Sequence, residues 1–329
     1  MSRIGILGAG AWGTALATAA ARAGSEVVLQ AHEPEVADAI NNDHINTTYL
    51  PDVDLDPAIR ATALAEDTLD SDAVLVVAPA QHVRTVLAGI ADKWPEGLPA
   101  IICAKGIEQE SCALMSEVVA DVLPQAPISV LSGPTFAIEV ARDLPTAVTF
   151  AADKAVADLA IPALNSHRFR IYHSSDVIGA QMGGAVKNVL AIACGIVEGR
   201  KLGDNARAAL ITRGLAEIIR IGVAKGAKFE TLAGLSGLGD LTLTCNAMQS
   251  RNFSLGVALG EGRSLEDILG GRKSVAEGVF TASSVTDLAR RLKVEMPICT
   301  AVDGVINHFA GIDATIEGLL SRPLKDETA

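Results

Sequence analysis

Aromatic residues are scarce: Phe, Trp and Tyr make up only 3% of the 329 residues. That is too few flat side chains for a single-strand nucleic-acid platform, which stacks successive bases on rings. Basic residues are in deficit too, 27 against 39 acidic, for a formal net charge of -12. A chain of that sign is not expected to bind nucleic acid or an anionic membrane through its overall field. An anion would have to be met by a local basic pocket. Cysteine is sparse, odd in number and dispersed, at Cys103, Cys112, Cys194, Cys245 and Cys299, with no CxxC pair. This argues against a disulfide framework and a structural zinc site, and for buried thiols in a reducing compartment. The six histidines contain no HExxH and no close cluster, so no metal is expected. Long hydrophobic runs are missing as well. The apolar stretch Val189 to Val197 stops at Glu198, so no membrane insertion is expected. Arg3 ahead of an apolar stretch mimics a leader peptide, but the ordered glycines after it fit a strand, a turn and a helix. The expected location is therefore cytoplasmic.

What is present is a large apolar fraction, 49% hydrophobic against 20% charged, on a length that favours two domains. Apolar strands are predicted over Arg3–Leu7, Glu26–Gln30, Ala73–Ala78, Ala100–Ala104, Ile128–Leu131 and Thr146–Ala151. Helices are predicted over Thr14–Ala23, Glu33–Asn42, Gln81–Ala91 and Ser116–Val122. Such alternation implies a parallel sheet covered on both faces. Beyond Asp176 strand signals almost vanish. Helical patterns run over Val177–Glu198, Ala206–Lys225, Leu265–Gly270, Ala282–Leu292 and Pro297–His308. The expectation is an α/β domain over 1–180 and an all-helical domain over 181–329.

Gly8-Ala9-Gly10-Ala11-Trp12-Gly13 follows the first strand and opens a helix. Gly8 permits the turn, Gly10 lets backbone approach a pyrophosphate, and Gly13 lets the helix pack on the sheet. A GxGxxG in that context predicts a Rossmann-like, doubly wound dinucleotide domain. At the end of the second strand stand His32 and Glu33. An acidic side chain there accepts from a ribose 2′-hydroxyl and repels a 2′-phosphate, whereas a histidine could stack on or donate to that phosphate, so NAD and NADP both stay open. Polar residues recur in glycine-rich or apolar settings further on: Lys105 after a strand, Ser132-Gly133-Pro134-Thr135-Phe136, Lys187-Asn188, Asp240, Thr244, and Ser250-Arg251-Asn252.

The ordered set GAGAWGTALA, AKGIE, LSGPTFA, GAVKN, GLGDLTLTC, QSRN, AEGV and VEMPI resembles the bacterial type of NAD(P)-dependent glycerol-3-phosphate dehydrogenases along nearly the whole chain. The resemblance implies reversible reduction of dihydroxyacetone phosphate to sn-glycerol 3-phosphate with NAD(P)H, supplying glycerophospholipid synthesis. It implies catalytic roles for Lys187 as acid/base and for Lys105, Asp240, Asn188 and Thr244. Asp240 would hold Lys187 or a substrate hydroxyl, with Asn188 and Thr244 fixing the same network. Gly133, Thr135, Ser250, Arg251 and Asn252 would meet the substrate together with Lys105, Lys187 and Asp240. Gly8, Gly10, Ala11, Trp12, Gly13, His32, Glu33, Lys105, Ala137, Arg251, Val275 and Glu277 would meet the cofactor. Ala11 departs from the Ser often found there, which removes a hydroxyl but keeps the backbone donors. The partner is a small molecule, and a homodimer is the common assembly for such a protein. Two other readings share some of these features. A β-hydroxyacid dehydrogenase also pairs a dinucleotide domain with a catalytic lysine, and a nicotinamide sensor would need the glycine loop but neither lysine.

Overall fold

Short strands flanked by turn-forming glycines give the first half of the chain one twisted sheet. The computed structural model describes residues 2–270, 276–324 and 326. Strands β1 (Arg3–Leu7), β2 (Glu26–Gln30), β5 (Ile59–Thr62), β6 (Ala73–Val76), β7 (Ala100–Ile102), β8 (Ile128–Ser132), β9 (Thr146–Ala151) and β10 (Phe169–Ser174) form it, in the order β10-β9-β8-β7-β6-β1-β2-β5. β3 (Ile45–Asn46) and β4 (Leu50–Asp54) make a separate small hairpin. Helices α1 (Ala11–Arg22), α2 (Pro34–Asp43), α3 (Val83–Ala88), α4 (Met115–Val122), α5 (Ala137–Ala141) and α6 (Lys154–Leu164) lie between the strands. From β5 through β8 the order is the doubly wound one, and the winding reverses between β1 and β6. In such sheets ligands bind beyond the C-terminal strand ends at that point.

The sheet is not parallel throughout, which corrects the sequence expectation. β9 runs antiparallel to β8, pairing Val130 with Ala151 and Ser132 with Thr149. The link between them holds only the short α5. A parallel crossover needs a helix that can travel the length of the sheet. α5 instead packs on α1, where Arg22 donates to the carbonyls of Val140 and Ala141. Two strands of this sheet, like the small hairpin, escape the sequence pattern. β5 is short, and β10 is an edge strand with only Phe169 fully buried. The predicted helix Gln81–Ala91 shrinks to α3 between two 3-10 turns, because Gly89 caps it early.

Helix α1 begins at Ala11 rather than Thr14, so Gly13 lies inside it. A Cβ on Gly13 would sit 1.9 Å from the Gly8 carbonyl oxygen, which only glycine tolerates.

After β10 the chain becomes helical. α7 (Val177–Gly199) is buried from Gly179 through Ile196 and forms the axis of the second half. The expected division after residue 180 falls inside this helix. The change from strand to helix lies between Ser174 and Val177. α7 is long and apolar enough to cross a membrane by length and composition, but 89% of its most apolar window is buried by protein. Around it pack α8 (Asp204–Lys225), α9 (Phe229–Leu232), α10 (Asp240–Thr244), α11 (Arg251–Gly260), α13 (Glu277–Leu292) and α14 (Pro297–Asn307), with α12 (Leu265–Gly270) against α11 and α15 (Ile312–Leu320) against α14. The α7–α11 crossing is close: a Cβ on Gly195 would lie 2.1 Å from the Phe253 carbonyl oxygen, and one on Gly256 2.1 Å from that of Ile192. This offsets the usual cost of glycine in a helix, about 0.5–1 kcal/mol each. It also fixes the start of α11 relative to Lys187 and Asn188 on α7.

Candidate active site

The glycine loop fits a dinucleotide. Gly8 takes a left-handed φ of 110°, and Gly10 caps α1, whose first turn carries no acidic residue. The first N–H groups of a helix have no intrahelical acceptor and favour an anion. A Cβ on Gly10 would meet nothing within 4 Å, so the space beside this backbone is open. Ala11 opens the helix. Beside it, Trp12 packs on the sheet core while its buried Nε1 has no partner. At the end of β2, His32 is exposed and Glu33 caps α2. The Tyr49 hydroxyl donates to Glu33 Oε1 at 2.6 Å, and this bond pushes the phenol pKa up to about 12.

Beyond the C-terminal end of β7, two lysines converge on one aspartate. Lys105 follows β7, and its Nζ donates to the Gly133 carbonyl oxygen at 2.9 Å and to Asp240 Oδ2 at 2.7 Å. Lys187, on α7, donates to Asp240 Oδ1 and to Thr244 Oγ1, the latter at 2.9 Å. Thr244 Oγ1 in turn donates to the Asp240 carbonyl oxygen at 2.7 Å, which turns a lone pair toward Lys187. Asp240 is fully buried at the start of α10. A π-helical turn, Leu235–Gly239, widens the chain just before it, with Gly239 N–H bonded to the Gly234 carbonyl oxygen at 3.0 Å. Such turns break regular packing and often serve functional positions.

The electrostatics of this cluster favour a titratable lysine. Burial lowers the Lys187 pKa to about 8; Asp240 opposes that shift and Lys105 reinforces it. Two lysines around one carboxylate in a largely buried cluster suit an anionic or oxyanion-forming ligand.

Asn188 belongs to a different network from the one expected. Its Nδ2 donates to the Lys105 carbonyl oxygen at 3.5 Å, and its Oδ1 accepts from Asn252 Nδ2 at 3.0 Å. Asn252 Oδ1 accepts from Gly278 N–H at 3.0 Å. Neighbouring residues on a helix face different sides, so Asn188 points away from the Asp240 partner of Lys187. Ser250 caps α11, accepting from Phe253 N–H at 3.2 Å, and Arg251 is the exposed first residue of that helix. Thr135 Oγ1 donates to the Gly133 carbonyl oxygen at 3.2 Å, and Ala137 opens α5. Glu277 opens α13; its Oε1 accepts weakly from Ala80 N–H at 3.4 Å, while its buried Oε2 has no partner. Burial pushes this carboxyl up, and Ala80 N–H and Arg251 pull against it. Val275 lies outside the described residues.

Lys105, Lys187, Asp240, Thr244, Gly133 and Thr135 are thus brought together. Asn188, Asn252 and Arg251 stand beside them, and Glu277 bridges to the first half of the chain. Ala80 and Tyr49 hold Glu277 and Glu33 through contacts that the sequence patterns did not single out. Tyr49 lies in a hairpin without helix or strand periodicity, and only the turn composition around it marks the place.

The site can be set beside known proteins. Residues 3–157 match the family profile described as NAD-dependent glycerol-3-phosphate dehydrogenase N-terminus, and residues 176–317 match the C-terminus profile of the same family. A glycerol-3-phosphate dehydrogenase (NAD(P)+) of Rhodospirillum rubrum is 60% identical over 99% of this chain and 94% of its own length. One from Caulobacter vibrioides is 56% identical over 99% and 98%. The crystal structure of a glycerol-3-phosphate dehydrogenase from Coxiella burnetii superposes with a TM-score of 0.93 at 39% identity, covering 98% of this chain and 99% of the other. With both halves matched and relatives alike over their full lengths, this chain belongs to the NAD-dependent glycerol-3-phosphate dehydrogenase family.

Proposed function

We infer that this protein reversibly reduces dihydroxyacetone phosphate to sn-glycerol 3-phosphate with NAD(P)H. The observation that carries the reading is the buried Lys105–Asp240–Lys187 cluster. Held at the glycine loop, a reduced nicotinamide cofactor would supply the hydride for the ketone carbon of the substrate. As that carbon is reduced, negative charge gathers on the ketone oxygen and needs a proton donor. Lys187 Nζ donates that proton, and in the oxidising direction the neutral amine takes it back from the hydroxyl. Its lowered pKa brings both protonation states within reach near neutral pH. Asp240 and Thr244 orient Lys187. Asp240 and the Gly133 carbonyl oxygen aim Lys105 as a second cation at the same oxygen. Arg251 and Asn252 take the phosphate, Arg251 through the paired bonds that a guanidinium makes with phosphate oxygens. Gly133, Thr135 and Ser250 border the substrate. Trp12, His32, Glu33, Ala137 and Glu277 line the cofactor, with the unpartnered Trp12 Nε1 and Glu277 Oε2 as its polar contacts.

In this reading the segment 1–180 supplies most cofactor contacts, and 181–329 supplies the substrate contacts together with Lys105, Gly133 and Thr135. The product supplies the backbone of glycerophospholipids, the protein works in the cytoplasm, and two copies assemble. The oxidation of NADH and NADPH in the presence of dihydroxyacetone phosphate tests the activity. A preference for a β-ketoacid instead would restore the hydroxyacid reading, which the family membership does not favour.

A further inference from the structure

Asn46 takes no part in the networks above, yet it is buried, 1% exposed, at the end of β3. Its Nδ2 donates to the Ala9 carbonyl oxygen at 2.9 Å and to Thr14 Oγ1 at 2.8 Å, and its Oδ1 accepts from Tyr49 N–H at 3.2 Å. Thr14 Oγ1 donates to the same Ala9 carbonyl oxygen at 3.2 Å. Ala9 therefore has its carbonyl gripped by two donors from one side.

In a trans peptide the carbonyl and the following N–H point in opposite directions. The Ala9–Gly10 peptide is trans. Holding the Ala9 carbonyl toward Asn46 therefore turns the Gly10 N–H away from it. Gly10 is also the loop residue beside which a side chain would meet nothing. The same asparagine anchors the Tyr49 backbone, and the Tyr49 hydroxyl holds Glu33 Oε1 at 2.6 Å. One buried amide thus ties the loop at the end of β1 to the carboxylate at the end of β2.

We propose that Asn46 is a positioning residue for the adenosine diphosphate half of the cofactor: it sets the Ala9–Gly10 peptide plane so that Gly10 N–H faces the pyrophosphate, and it seats Tyr49 so that Glu33 faces the ribose 2′ position. The proposal rests on the reading of the glycine loop as the cofactor site. Asn46 itself touches no ligand.

The test uses the full chain with ADP-ribose as probe, its dissociation constant read by calorimetry. Asn46→Asp keeps an acceptor for Tyr49 N–H but replaces the Nδ2 donor with an oxygen facing the Ala9 carbonyl. With two donor bonds lost, ADP-ribose should bind about tenfold more weakly or worse. At saturating NADH, the Michaelis constant for dihydroxyacetone phosphate should stay within about twofold, because binding of the second ligand is not the interaction removed. An ADP-ribose affinity equal to the parent's overturns the proposal. So does an equal loss for ADP-ribose and for dihydroxyacetone phosphate, which marks general damage. If Asn46→Asp does not fold, Tyr49→Phe decides, since Tyr49 is partly exposed and keeps its ring. Freeing Glu33 should lower the ratio of NADPH to NADH dissociation constants about threefold, the worth of one hydrogen bond, and an unchanged ratio overturns the proposal. Failure of the parent protein to bind ADP-ribose would remove the cofactor reading itself and this proposal with it.

Discussion

Asp240 divides its carboxylate between two lysines from opposite halves of the chain: Oδ2 lies 2.7 Å from Lys105 Nζ, and Oδ1 accepts from Lys187 Nζ. The pair is buried on the Asp240 and Lys187 side and only slightly open at Lys105. Removing the carboxylate leaves two cations facing each other without an anion. Asp240→Asn should therefore depress the Lys187 pKa below its present value of about 8, since Asp240 is the influence that holds it up. Breaking a buried pair by losing one partner costs about 3–5 kcal/mol, so the melting temperature should fall as well. A pH profile unmoved by Asp240→Asn would show that Lys187 does not feel this carboxylate.

Lys187→Ala should nearly abolish turnover while NADH still binds, because the glycine loop is untouched. Positioned proton transfer alone is worth about 10²–10⁴-fold. Turnover in single-cycle assays, with NADH binding followed by fluorescence, separates the two effects. A variant within about threefold of the parent rate would take Lys187 out of the chemistry, given that range.

Arg251→Ala should raise the Michaelis constant for dihydroxyacetone phosphate by about tenfold or more, since a hydrogen bond to a charged group is worth about 1.5–3 kcal/mol. Arg251→Lys keeps the charge but not the planar fork, and should fall between parent and Ala. Unphosphorylated dihydroxyacetone, used as the alternative substrate, should be nearly indifferent to either change. Equal losses on both substrates would move the phosphate elsewhere.

Glu33→Arg should raise the ratio of NADPH to NADH catalytic efficiencies, because a cation replaces a carboxylate at the ribose end. Measuring both ratios side by side is sufficient. Tyr49 now binds Glu33, so the carboxylate has a fixed direction, and an unchanged ratio would mean that this direction misses the ribose.

Much of this site is legible in the residues, because its parts obey local rules. Gly8, Gly10 and Gly13 announce the loop by spacing, and Asp240 and Thr244 stand one helical turn apart, so their shared partner is foreseeable. The resemblance groups Asn188 with Lys187 and Asp240, whereas its side chain bonds the Lys105 carbonyl oxygen and Asn252. The antiparallel β9 was hidden because an apolar strand carries no mark of its direction. That depends on how far the preceding link can reach. Asn46 is illegible as to role, since it acts through a contact distant in sequence, to Ala9. A polar residue in a turn or at a helix start has many bland uses.

The most direct test of Lys187 as the acid/base group is the pH dependence of kcat in both directions on the parent enzyme. Reduction needs the protonated amine, so its rate should fall as pH rises through about 8. Oxidation needs the neutral amine, so its rate should rise through the same value. Two mirrored arms that meet near that pH, both lost in Lys187→Ala, are the predicted result. Arms that move in the same direction, or that persist unchanged in Lys187→Ala, would contradict it.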